Sequence, residues 1–176
     1  MSSETAYFAL GCFWGAERRF WQTEGVVETS VGYMGGAVPD PSYELVCTGG
    51  TNHTEAVKVI FDNEKVSYRS LLEMFWTIHD PTQGDRQGND IGSQYRSAIF
   101  YTSEEQKLTA QETLDIYQAA ITHAGFGKIT TEITAAADHP YYPAEQYHQK
   151  YLAKNPNGYD CHARTGIVFP GASVTA

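Results

Sequence analysis

The chain has 176 residues, 41% of them apolar and 19% charged, which excludes a disordered or fibrous protein and fits a single domain, residues 1–176. Twelve Lys and Arg stand against 21 Asp and Glu, and the resulting charge of −9 argues against a nucleic-acid partner, since affinity for a phosphate backbone comes mostly from cations. No apolar run approaches the roughly 18 residues that span a membrane, and residues 1–11 have neither the basic start nor the long apolar stretch of a signal peptide, so a cytoplasmic protein is expected.

In chain order, residues 5–10 read as a short apolar strand that ends at Gly11-Cys12-Phe13-Trp14-Gly15, with a helix at 16–23. A β-branched strand follows at 26–34, then a Gly- and Pro-rich loop at 35–54 with room for one helical turn at 42–46. Alternation predicts a strand at 55–61, and Leu72, Phe75, Trp76 and His79 mark one face of a helix at 68–79. A second long loop covers 81–94, and residues 95–101 form a strand. Ser103-Glu104-Glu105-Gln106 fits a capping box opening a helix that buries Ala110, Leu114, Tyr117 and Ile121 and stops at Gly125. A strand at 129–135, a short helix at 144–153 and a flexible segment at about 156–176 complete the chain. The irregular alternation predicts an α+β, two-layer sandwich with a ferredoxin-like split βαβ core, long loops and an irregular C-terminal tail. Loops as long as the two at 35–54 and 81–94 are unusual in a compact domain, and both read as walls of a site.

Three cysteines, Cys12, Cys47 and Cys161, an odd count without a secretion signal, do not make a disulfide scaffold, and the absence of any Cys-x-x-Cys pair excludes a zinc ribbon and a thioredoxin-type motif. Cys12 stands where a strand ends and a helix begins. There the unpaired N–H groups and the dipole of the helix stabilise a thiolate and depress its pKa. Phe13 and Trp14 suit a pocket that holds an apolar group against such a nucleophile. Equally, all three side chains could be core, and residue type and position leave both readings open.

The run Gly11-Cys12-Phe13-Trp14-Gly15 resembles the signature of the peptide methionine sulfoxide reductase A family. The likeness continues in Pro41-Ser42-Tyr43-Glu44, Val46-Cys47-Thr48-Gly49, His53 with Glu55-Ala56-Val57, His79-Asp80-Pro81-Thr82, Gln87 to Ser97, and Ala144-Glu145-Gln146-Tyr147-His148-Gln149, covering residues 7 to about 158. The resemblance implies thiol-dependent reduction of methionine S-sulfoxide, free and in proteins, without a metal or cofactor. It implies Cys12 as nucleophile, Glu55 as the acid that donates to the oxygen, and the hydroxyls of Tyr43 and Tyr95 as its helpers. Phe13 and Trp14 hold the substrate methyl, and Asp90 organises the site through Tyr95 or a water. His148 is a supporting residue. Cys161 condenses with the Cys12 sulfenic acid to a disulfide that thioredoxin reduces; Cys47 reads as buried and is the second candidate for that role. A monomer is expected.

A donor at Glu55 must be protonated at neutral pH, which burial without a cation achieves. Its sequence neighbours include no Lys or Arg before Lys58. Taken alone, Glu55 could equally be a solvated first residue of a strand, and Asp90 an ordinary turn residue. His53 has no second His at ligand spacing, so it is expected to serve as a hydrogen-bonding residue. Two positions depart from the family pattern. Asn52 replaces a Gly and tolerates positive φ, and Thr54 replaces an Ala and adds a hydroxyl beside Glu55. Two other readings share parts of this pattern: a thiol peroxidase, which would need no methyl pocket, and a non-catalytic module that binds Met-containing segments.

Overall fold

The computed structural model describes residues 2–160 and 162–171. In chain order its elements are β1 (Ser3–Leu10), α1 (Phe13–Trp21), β2 (Val26–Met34), α2 (Tyr43–Cys47), β3 (Thr54–Asp62), α3 (Tyr68–Thr77), β4 (Arg86–Gln87), β5 (Asp90–Ile91), β6 (Ser97–Tyr101), α4 (Glu104–His123), β7 (Glu132–Ala135), β8 (Tyr142–Pro143) and α5 (Tyr151–Lys154). Six strands form an open mixed sheet in the order β7-β6-β1-β3-β2-β8, while β4 and β5 make a separate hairpin. Every pairing in the large sheet is antiparallel except β6 with β7.

Period-2 alternation gives the sheet two unlike faces. Phe8 and Leu10 of β1, Val31 and Tyr33 of β2, Val57, Val59 and Phe61 of β3 and Ile99 of β6 face the main core. Against them pack Ala16 and Phe20 of α1, Leu71, Leu72, Phe75 and Trp76 of α3, and Ala110, Tyr117 and Ile121 of α4. The other face carries a small cluster of Ala9, Met34, Ala56, Ala98 and Phe100, with Tyr7 and Tyr141 against it. Glu55 stands on the main-core side, two residues before Val57, at the end of the strand nearest α1.

Local signals placed most elements. Ser103 caps α4 by accepting from the Gln106 N–H, and the Gln106 side chain returns to the Thr102 N–H, one residue earlier than a capping box requires. Leu114 is only partly buried and Thr113 takes the inward position, where its hydroxyl accepts from the Trp76 indole at 3.0 Å.

Three expectations are corrected. The helix at 16–23 begins at Phe13, so Cys12 is its N-cap. The loop at 81–94 contains the β4–β5 hairpin, seated by buried Gln87, whose amide exchanges two hydrogen bonds with the Asp80 backbone. No continuous helix forms at 144–153. A 3₁₀ turn at Gln146–His148 and α5 are separated by Lys150 at φ +53, because Gln149 pairs its amide with both the N–H and the carbonyl of Val31 in β2.

Candidate active site

β1 delivers the chain to Gly11, whose φ of +97 and whose contact with Gln87 (a Cβ would come within 2.7 Å of its Cγ) both require glycine. Cys12 follows at the N-cap of α1 and is 7% exposed. Its thiol pKa is raised well above the ordinary value, first by burial and then by the Glu55 carboxyl, with Asp90 adding to the rise. The N–H groups of Trp14 and Gly15 act in the opposite direction and are outweighed. The expected depressed thiol is therefore corrected. The helix end supplies its amides, but burial of the sulfur and the neighbouring carboxyls outweigh them.

Glu55 is 2% exposed, and its Oε1 accepts from the Phe13 N–H at 3.0 Å. Burial pushes its pKa up to about 8; the Phe13 amide opposes the rise and the charge of Asp90 adds to it. The carboxyl is thus mostly protonated at neutral pH, held one peptide away from Cys12.

Cys12, Phe13, Trp14, Tyr43, Glu55, Asp90, Tyr95 and Tyr159 line one cleft of about 380 Å³. Tyr43 opens α2, where Ser42 caps the helix and the Tyr43 N–H donates to Glu145 Oε2 at 3.0 Å. Tyr95 ends a 3₁₀ turn that Arg96 pins by donating to the carbonyls of Ser93 and Asn52 and to Glu132. Both phenols are held protonated, by burial above all, with Glu55 contributing to each.

Trp14 donates its indole N–H to His148 Nδ1 at 3.0 Å and stacks on Tyr151 with ring centres 3.8 Å apart. His148 is fully buried, rests against Phe13 and Tyr43, and is kept neutral by burial. Its supporting position is thus physical contact with the aromatic wall. Tyr151 and Tyr159 escaped sequence reasoning. Tyr151 lies three residues after His148, but the helical reading of that segment put it on no particular wall. Tyr159 belongs to a tail whose path no local signal gives.

Asp90 is carried by the β4–β5 hairpin. Its Oδ1 accepts from the Tyr159 hydroxyl at 2.8 Å, and its buried Oδ2 has no hydrogen-bond partner among the described residues. Tyr159 is thus a partner of Asp90 that the sequence did not name. Cys161 lies outside the described residues. Cys47 is exposed, not buried: it ends the five-residue α2, in which Val46 takes the inward position.

His53 is buried and pins its own loop, accepting from the Gly36 N–H at Nδ1 and pairing Nε2 with the Val38 carbonyl. Asn52 adopts φ +58, the left-handed turn that a Gly would hold. The Thr54 hydroxyl points to the other side of the strand from Glu55 and donates to the carbonyls of Gln94 and Arg96. Among the described residues no group of three or more His, Cys, Asp or Glu is placed to hold a metal ion, and no helix is long and apolar enough to cross a membrane.

A sequence model described as peptide methionine sulfoxide reductase matches residues 4–169. The peptide methionine sulfoxide reductase MsrA of Pseudomonas putida strain KT2440 is 62% identical over 165 residues, 94% of this chain and 73% of that protein. Methionine sulfoxide reductase A of Corynebacterium diphtheriae superposes with a TM-score of 0.86 at 49% identity, covering 91% of this chain and 78% of the other. Mxr1 of Saccharomyces cerevisiae in reduced form gives 0.82 at 34% identity over 92% of each chain. Its complex with Trx2 gives 0.60 at 22% identity over 92% and 88%, a likeness of fold. The chain belongs to the peptide methionine sulfoxide reductase A family.

Proposed function

We propose that this chain is a peptide-methionine (S)-S-oxide reductase that returns methionine sulfoxide, free and in proteins, to methionine. The observation that carries the reading is a nucleophilic sulfur and a buried, protonated carboxyl in one cleft, Cys12 and Glu55, with Phe13 and Trp14 as an apolar wall beside them. The sulfoxide methyl rests on Phe13 and Trp14, and the oxygen accepts hydrogen bonds from Glu55, Tyr43 and Tyr95. As the Cys12 sulfur attacks the sulfoxide sulfur, the Glu55 proton moves to the oxygen and the thiol proton replaces it on Glu55. The hydroxyl then passes to the Cys12 sulfur: the new sulfur–sulfur bond and the sulfur–oxygen bond of the substrate break, a sulfur–oxygen bond forms on Cys12, methionine leaves, and Cys12 is left as a sulfenic acid. One oxygen atom has been transferred. The raised pKa of Cys12 suits this exchange, because the thiol keeps its proton until Glu55 has given up its own.

The Cys161 thiol then attacks the Cys12 sulfur, water departs with the hydroxyl and the thiol proton, and a Cys12–Cys161 disulfide forms. Thioredoxin reduces that disulfide and is itself oxidised, a reading supported by the recorded complex of Mxr1 with Trx2. The ferredoxin-like description is supported by the order β6-β1-β3-β2 of the four central strands, with α1 and α3 as the connections between β1 and β2 and between β3 and β6. We read the chain as one cytoplasmic catalytic domain acting as a monomer, with a C-terminal segment able to move during turnover. The test is a thioredoxin-coupled assay with the two epimers of methionine sulfoxide supplied separately. Consumption of the S form alone is expected. A preference for the R form, or equal turnover of hydrogen peroxide, would overturn the proposal.

A further inference from the structure

Cys161 is flanked in sequence by Asp160 and His162, and both neighbours are seated on the two glycines that flank the nucleophile. A Cβ built on Gly15 would lie 2.1 Å from Asp160 Oδ1 and 3.1 Å from the His162 ring, so the C-terminal segment rests directly on the flat face of that residue. On Gly11 a Cβ would lie 3.2 Å from His162 Nε2. Arg18, one turn further along α1, donates to Asp160 Oδ2 and, at 3.4 Å, to the Pro156 carbonyl. The other carboxylate oxygen of Asp160 faces His162 Nδ1 at 3.6 Å. The His162 side chain is 6% exposed and its Nε2 is buried without a partner among the described residues. Arg18, Asp160 and His162 are not among the residues that line the cleft. Their common effect is to fix the segment on both sides of residue 161 relative to the turn that carries Cys12.

We propose that Arg18, Asp160 and His162 form a dock that holds the C-terminal segment against the Gly11–Gly15 turn, and that they are positioning residues for the step that resolves oxidised Cys12. The inference rests on the proposed function, since it assigns the dock to the attack of the Cys161 thiol on the Cys12 sulfenic acid. In that step an S–S bond forms, the S–O bond breaks and water leaves. Its rate depends on how often the two sulfurs meet in line, and reactions between groups held in place gain orders of magnitude over those that must find each other. Asp160 stays ionised over the working range, because His162 and Arg18 hold its carboxyl at about 2.

The test compares Asp160→Asn, Arg18→Ala and Arg18→Lys with the unaltered enzyme in three measurements: methionine formed in one turnover without reductant, disulfide formation after that turnover, and steady-state rate with thioredoxin. The expected result is a first turnover within about twofold of the unaltered enzyme. Disulfide formation and thioredoxin-supported turnover should fall about tenfold in Asp160→Asn and Arg18→Ala, with most of the loss restored by Arg18→Lys. Equal disulfide rates in all variants, or a first turnover that falls in parallel with them, would overturn the dock. Failure of the function reading looks different: the unaltered enzyme would then form no disulfide that depends on Cys161.

Discussion

At the scale of single residues, the chemistry turns on two protons kept where water would not leave them. Glu55 is an ordinary carboxyl in a buried position, and its pKa of about 8 is the price of that burial. Glu55→Gln keeps the shape and the Phe13 contact but removes the proton, so the rate of the first turnover should fall by about 10²–10⁴, the range for a lost general acid. The unaltered enzyme should lose first-turnover rate as pH rises through about 8, while the Gln variant shows no such limb. Stability has the same sign. With the folded pKa above the unfolded one, the folded state keeps a proton that the unfolded state has released, so stability falls as pH rises from the ordinary carboxylate range to about 8. Denaturation midpoints of the unaltered chain should drop across that window relative to Glu55→Gln.

Among the elements, α1 carries the most consequences per residue. Its first amide holds Glu55 and its next two face Cys12. Glu17 on the same helix is fully buried and accepts from the Lys150 N–H, the Lys150 ammonium and the Thr29 hydroxyl. This network ties α1 to β2 and to the turn before α5, and thereby sets the Trp14–Tyr151 stack. Lys150→Met would leave the Glu17 charge buried without its cation. Because the lysine side chain is 40% exposed, the cost belongs near the low end for a broken buried pair, about 3 kcal/mol. Ser103→Ala removes one cap from α4 and should cost only about 1 kcal/mol. Urea titrations of both variants would measure the contrast.

For the whole molecule, the tail is the part whose function depends on distance. Tyr159 reaches Asp90, Asp160 reaches Arg18, and Phe169 stacks on Tyr117 of α4, so the described part of the tail is tied in turn to the hairpin, to α1 and to α4. Cys161→Ser should still yield one equivalent of methionine per enzyme, while thioredoxin-driven turnover collapses. Unchanged turnover would transfer the resolving role to Cys47, which is exposed.

Local sequence determined what depends on near neighbours. The strand and helix on either side of Cys12, the cap at Ser103 and the buried Leu72, Phe75 and Trp76 of α3 follow from spacing and side-chain type within a few residues. Glu55, Tyr43 and Tyr95 were legible as candidates only through the family motif, since a lone glutamate or tyrosine carries no sign of its burial. Tertiary structure alone decided the rest. It raised the pKa of Cys12, because desolvation depends on every wall of the cleft and not on the helix end that the chain announces. It exposed Cys47, broke the helix at 144–153 through a glutamine bonded to a distant strand, and brought Tyr159 to Asp90 from 69 residues away. Contacts across such separations are set by how the layers pack, which no local pattern encodes.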